Sequence, residues 1–216
     1  MCLQDLESFN LTAKISSLQG RLRAKGYRVL LEFSDGAPEA EAEILNHFAT
    51  MQVEGVVILA GLLARRSPAQ RALDRLGIPI VPIDPREPSP RGTVWLDRGA
   101  ALQAAARHLL QLGHRRFAAL GIDPASYYGG VRTRALDEAL SPPLAPARTS
   151  LRYFHEPDAA RMDYAYGWRL AERLLAEAKR PTALIALSDT IAFGAMECLR
   201  RKHFRVPGDF SHRGLR

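Results

Sequence analysis

The sequence predicts a doubly wound α/β fold, and three observations carry that prediction. Short apolar runs alternate with helix-length amphipathic stretches, glycines close several of those stretches, and polar residues follow the runs directly. Near-continuous apolar runs suit strands buried on both faces, as in parallel sheets. Here they are Val29–Leu31, Val56–Leu59, Ile78–Val81, Val94–Leu96, Phe117–Leu120 and Ala183–Leu187.

Between the runs the period changes to that of a helix. Leu102, Ala105, Ala106, Leu109 and Leu110 share one face, as do Ile44, Leu45, Phe48 and Met51. A third such face carries Tyr164, Trp168, Ala171, Leu174, Leu175 and Ala178. Gly26, Gly77 and Gly113 each follow a helical stretch and precede a strand, the place for a left-handed helix end. Asp189, between a strand and an apolar helix, reads as a helix N-cap. Residues 82–92, 121–130 and 141–149 are rich in proline and glycine and read as loops. No internal sequence repeat is evident. Strand and helix alternation of this kind predicts right-handed crossovers, with ligands bound beyond the carboxyl ends of the strands. That singles out Ser34, Asp35, Asp84, Asp97, Asp123, Ser188 and Asp189.

Composition bounds the function. The chain of 216 residues is long enough for one large domain or two small ones, and no run of about 18 apolar residues suggests a membrane span. The start, with Asp5 and Glu7, lacks the basic and apolar blocks of a secretory signal. Two distant cysteines and the absence of Cys-x-x-Cys give no support to a zinc or redox site and suit a cytoplasmic protein. The net charge of +7 comes as scattered pairs such as Arg65-Arg66 and Arg115-Arg116 with few aromatics among them, which reads as solvated surface. The nucleotide-binding glycine loops and the Gly-x-Ser-x-Gly nucleophile turn are missing, and the six histidines lack metal-ligand spacing. No cofactor, metal or catalytic residue is expected, and the reading is of a protein that is not an enzyme.

Several segments together resemble the lactose-repressor (LacI/GalR) family of transcriptional regulators. Gly26–Leu31 followed by Ser34-Asp35 resembles that family's second strand, Val53–Leu59 its third and Leu76–Asp84 its fourth. Val94–Gly121, with an Asp, a Gly-Ala helix and Leu-Gly-His-Arg-Arg before a strand, is the most specific match. Pro181–Ser211 resembles the later strand, its Asp-capped helix and a Val-Pro-x-Asp-x-Ser exit.

The resemblance implies an effector-binding core of periplasmic-binding-protein-like type I: two Rossmann-like subdomains with parallel sheets, here 1–122 and 123–216, incomplete at both ends. A small effector such as a sugar or a nucleobase would bind between them. Operator DNA would be reached only through a headpiece missing from this chain, and the regulator would be a homodimer. By position in the family's motifs, Asp97, Arg132 and Asp189 are expected to bind the effector, as are Ser8 and Asn10 after the first strand. The carboxylates suit neighbouring hydroxyls, and the planar guanidinium suits effector oxygens. Arg132-Thr133-Arg134-Ala135-Leu136 departs from the family's Arg-x-x-Gly-aromatic, and Ser8-Phe9-Asn10-Leu11 from its Asn-Pro-Phe-Phe. Tyr127-Tyr128 reads as loop surface, with stacking on a sugar face as the alternative.

At the other end His212–Arg216 departs from the family's apolar strand, so that strand and the return to the first subdomain are expected to be absent. Missing edge strands would leave backbone and apolar surface uncovered, predicting marginal solubility or dependence on a partner. The alternative functions are a type I solute-binding protein of the periplasm, which the leaderless start disfavours; an α/β enzyme; and a non-functional gene fragment.

Overall fold

A computed structural model describes residues 1–3, 9–35, 37–59, 68–85, 92–156 and 162–214. Two compact units divide between Leu96 and Asp97. In the first, β1 (Cys2–Leu3), α1 (Phe9–Ala24), β2 (Glu32–Phe33), α2 (Pro38–Thr50), β3 (Val56–Leu59), α3 (Pro68–Leu76) and β4 (Ile80–Ile83) follow one another. The second holds α4 (Arg98–Gln111), β5 (Arg116–Leu120), α5 (Tyr127–Leu140), β6 (Ser150–Phe154), α6 (Tyr164–Leu175), β7 (Ala183–Ala186), α7 (Asp189–Arg201) and β8 (Ser211–Gly214).

Each unit has one parallel sheet, ordered β2-β1-β3-β4 in the first and β6-β5-β7-β8 in the second. The topology therefore repeats where the sequence shows no repeat. Because side chains alternate along a strand, each sheet feeds two separate cores. In the first unit Cys2, Val56, Ile58 and Ile80 pack under α2 and α3, while Leu3, Leu59 and Val57 lie on the α1 side. In the second, Ala118, Leu120, Leu184 and Ala186 face α6 and α7, and Phe117, Ala119, Ala183 and Ile185 face α4 and α5.

The three glycines adopt the positive φ expected of helix ends, 87°, 59° and 93° at Gly26, Gly77 and Gly113. Other expectations are corrected. Strand β5 pairs with β6 and β7, and α4 packs along α5, so both belong to the second unit and the division precedes the boundary expected at 122/123. Val94–Leu96 is no strand: Val94 makes one isolated bridge to Ile83, and the segment stays exposed. Pairing in β2 and β4 begins two or more residues later than the apolar runs, and β6 lies where no strand was expected. The expected loss of the strand after residue 210 is also overturned, since β8 pairs in parallel with β7 from Ser211 to Gly214. Main-chain hydrogen bonding to β7 tolerates the polar sequence there.

Candidate functional site

Helices that return antiparallel to a parallel sheet all begin at the carboxyl edge of the strands. In the second unit this brings the N-termini of α4, α5, α6 and α7 to one rim. Each carries a side-chain cap that satisfies a backbone amide otherwise left without a partner. The amide of Ala100 donates to Asp97 at 2.8 Å and that of Gly129 to Ser126 at 3.0 Å. Tyr166 donates to Asp163 at 2.9 Å and Ile191 to Ser188 at 3.3 Å. Ser188, extended at φ −146°, is thus the cap of α7, and Asp189, expected in that role, is its first helical residue. The serine hydroxyl is the group placed to reach the third helical amide.

The loops between these caps carry polar side chains. After β5, Asp123 accepts from the amide of Ala125 at 2.9 Å, and its carboxylate oxygen lies 3.7 Å from Nδ1 of His155, which follows β6. That ring nitrogen is buried with no hydrogen-bond partner. Arg173 donates to the His155 carbonyl at 2.9 Å, and the Glu156 amide donates to the hydroxyl oxygen of the buried Tyr166 at 3.0 Å. Burial pushes the Tyr166 phenol above its ordinary pKa. Arg169 pairs with Glu156 at 3.0 Å.

Two glycines are required to bring these loops close. A Cβ on Gly129 would sit 1.7 Å from the Asp123 carbonyl oxygen, and one on Gly121, already at φ 80°, would meet Ile191 at 2.7 Å. On the α5 side, Tyr153 of β6 donates to Asp137 at 2.9 Å; burial, then the Asp137 contact, raises its pKa.

Among the residues expected from sequence, Asp97 is the exposed cap of α4. Arg132 is half-buried in the second turn of α5, and Asp189 is half-buried at the start of α7. All three belong to the second unit. A Cβ on Gly99 would stand 3.5 Å from that of Ala135, which puts the start of α4 beside the α5 turn that follows Arg132. Ser8 lies outside the described residues. Asn10 falls in the first turn of α1, in the other unit, with its side chain outside the described residues. Tyr127 and Tyr128 open α5 rather than lying in a loop, and their side chains are likewise undescribed.

Sequence reasoning missed His155 and Glu156, two polar residues directly after an unrecognised strand. Alternation was the available signal: Leu151 and Tyr153 face one core and Arg152 points away. The Gly-His-Arg-Arg stretch lies at the opposite, amino edge. There His114 Nδ1 is 3.0 Å from the Thr182 hydroxyl, Arg115 donates to the Leu110 carbonyl at the end of α4, and Arg116 donates to the Arg180 carbonyl. Its work is to tie strand starts to helix ends. Among the described residues no three acidic, histidine or cysteine side chains are grouped to hold a metal, and no helix is long and apolar enough to cross a membrane.

Known proteins share this arrangement. The model of the periplasmic binding protein-like domain matches residues 106–211. The transcriptional regulator DegA of Bacillus subtilis is 27% identical over 199 residues, covering 90% of this chain and 57% of DegA. A dimeric Lac repressor structure superposes with a TM-score of 0.81 at 19% identity, covering 99% of this chain and 76% of that one. The Cra dual regulator of Pseudomonas putida, solved in complex with fructose 1-phosphate, gives 0.76 at 25% identity, covering 93% and 72%. The chain spans a little over half the length of the curated relatives it matches, between 54% and 58%. Fold, motif order and relatives agree: along most of its length the chain is similar to the periplasmic-binding-protein-like core of lactose-repressor (LacI/GalR) family regulators.

Proposed function

We propose that this core senses a small polar metabolite, a sugar or sugar phosphate before a nucleobase, at the carboxyl rim of its second sheet. In the longer regulator, occupancy would control operator binding by a helix-turn-helix headpiece, in a cytoplasmic homodimer. The observation that carries the reading is the convergence of four capped helix N-termini, that of α7 beginning at Asp189, on loops that hold Asp123 and His155. Helix N-termini present amides and a positive dipole end to hydroxyl or phosphate oxygens. Asp97 and Asp189 would accept from sugar hydroxyls, and Arg132 would donate to effector oxygens. The fructose 1-phosphate bound to the Cra regulator supports this ligand class.

Regulation requires the effector to bind one conformational state more tightly than the other, because equal affinity shifts nothing. A thermal-shift screen of sugars, sugar phosphates, polyols and nucleobases on the whole chain tests the reading. A ligand at 100 times its Kd adds about 2.7 kcal/mol of stability. Arg132→Ala and Asp189→Asn should remove that shift while leaving the far-ultraviolet circular dichroism unchanged. A screen in which no compound moves the melt overturns the proposal.

A further inference from the structure

We propose that His155 and Asp123 form a proton-operated latch between the loops that follow β6 and β5, one that tightens the start of α5 when the imidazole takes up a proton. Nδ1 of His155 lies 3.7 Å from the Asp123 carboxylate, too far for a hydrogen bond, and that nitrogen is buried with no partner. A buried polar atom in this state costs free energy that a short move would recover. Protonation makes both ring nitrogens donors and gives the ring a positive charge, so the pair closes toward the ~2.8 Å of a charge-assisted hydrogen bond. The two side chains are only 25% and 22% exposed, which screens their attraction less than that of a surface pair.

The two sides of the latch are held differently. Three residues of α6 clamp the His155 side: Arg173 donates to the His155 carbonyl at 2.9 Å, Tyr166 accepts from the Glu156 amide at 3.0 Å, and Arg169 pairs with Glu156 at 3.0 Å. Their spacing of three and four residues puts them on one helix face. The Asp123 side is a turn. Its carboxylate accepts from the Ala125 amide at 2.9 Å, and its carbonyl accepts from the Ser126 hydroxyl at 2.9 Å and the Ser126 amide at 3.1 Å. Ser126 in turn caps α5 through the Gly129 amide. Gly129 packs so closely that a Cβ there would stand 1.7 Å from the Asp123 carbonyl oxygen. A pull on Asp123 is therefore passed to the first turn of α5 and on toward Arg132.

Charge reaches the ring from three elements. Asp123 faces it from the loop after β5, and Glu156 stands beside it on its own segment. From α6 come Tyr166, Arg169 and Arg173, with Asp163 as that helix's cap. Arg169 is engaged by Glu156 and Arg173 by the His155 carbonyl, so the carboxylate within reach of the ring is that of Asp123. Imidazole is the side chain whose charge ordinarily changes between about pH 5 and 8, which sets the window to search. The latch is a property of the loops themselves and holds whether or not a metabolite occupies the rim.

The test follows histidine rings and backbone amides of the whole chain by nuclear magnetic resonance, without ligand, from about pH 8 to about pH 5.5. The amides of Ala125, Ser126 and Gly129 should titrate with the His155 ring at one midpoint. Hydrogen-exchange protection at Gly129, corrected for intrinsic exchange, should rise about threefold or more at the acid end. His155→Gln and Asp123→Asn, each checked for an unchanged far-ultraviolet circular dichroism, should flatten both responses. His114→Gln, at the opposite edge of the sheet, should leave them intact. In the unaltered chain, a His155 ring that titrates while residues 125–129 stay flat overturns the proposal with no variant needed. So does a response that survives Asp123→Asn or vanishes in His114→Gln. Effector responses are not read, so this test and the screen for the proposed function fail separately.

Discussion

The two units share a strand order and a crossover pattern, yet they close their sheets differently. In the second unit paired helices cover both faces: α6 with α7, and α4 with α5. In the first, α2 and α3 cover one face, while α1 alone covers the other among the described residues. Topology therefore fixes where side chains point, but the helix complement decides whether what they point at is dry. Apolar residues on the corresponding sheet faces have opposite fates, Ile185 of β7 fully buried and Val81 of β4 39% exposed.

Glycine-to-alanine exchanges should separate the units most sharply. Helices α6 and α7 cross at backbone contact, where a Cβ on Gly194 would lie 2.0 Å from the Tyr164 carbonyl oxygen and one on Gly167 2.1 Å from that of Ile191. Neither obstacle is a flexible side chain, so the helices must separate. Gly194→Ala should cost about 4 kcal/mol or more by urea denaturation. In α1 nothing lies within 4 Å of a Cβ on Gly20, and the same exchange there should add about 0.5–1 kcal/mol through helix propensity. A mild Gly194→Ala would mean that the α6–α7 contact is looser than described.

Truncating the two sheet faces tests the open face itself. Ile185→Ala removes buried aliphatic atoms beneath α4 and α5 and should cost about 3 kcal/mol. Val81→Ala, on the uncovered side, should cost under about 1 kcal/mol, because its side chain already meets water. Comparable losses would show the α1 face to be covered in solution.

The same contrast explains what could be read from sequence. Strands β3 and β7 were legible because Val56–Leu59 and Ala183–Ala186 are apolar on both faces, as a central parallel strand requires. Val94–Leu96 has the same apolar look but no strand beside it to pair along its length, and a sequence window contains no record of its neighbours. Strand β6 was hidden by Arg152 and by an exposed Ser150, so His155 behind it could not be recognised as a residue of the rim. Asp97 and Asp189 were found by their position after apolar runs. Their division of labour was not, because capping depends on φ and ψ: Asp97 caps its own helix, whereas Ser188 performs that task for Asp189.

Caps give a smaller and two-sided test. All four helices at the second unit's rim are capped by side chains, whereas α2 of the first unit starts at Ala37 with none, relying on Pro38 in its first turn. Asp97→Ala should cost about 1 kcal/mol in urea denaturation. Ala37→Asp should gain a similar amount, since Ala37 already has the extended conformation of a cap, at φ −88° and ψ 124°. If Asp97→Ala abolishes an effector-induced thermal shift as well, its carboxylate serves ligand and helix together.

Acid should act on the second unit through α7 with the smallest effect of these. Hydrogen bonds from Arg200 and Arg201, both within 2.9 Å, pull the Glu197 carboxyl down to about 2 from an ordinary 4.5. A depressed folded-state pKa means that the unfolded chain takes up the proton first. The contribution is therefore complete above pH 4.5 and is lost as pH falls toward 2. Glu197 is partly exposed and its partners Arg200 and Arg201 are exposed, so salt should shrink the effect and its size should stay modest. Hydrogen exchange followed at the α7 amides between pH 4.5 and 2 should show protection falling with pH. In Glu197→Gln the slope should flatten while the α1 amides of the first unit are unaffected. An unchanged slope in that variant would move the acid sensitivity away from this cluster and remove one of the ways in which the units are expected to differ.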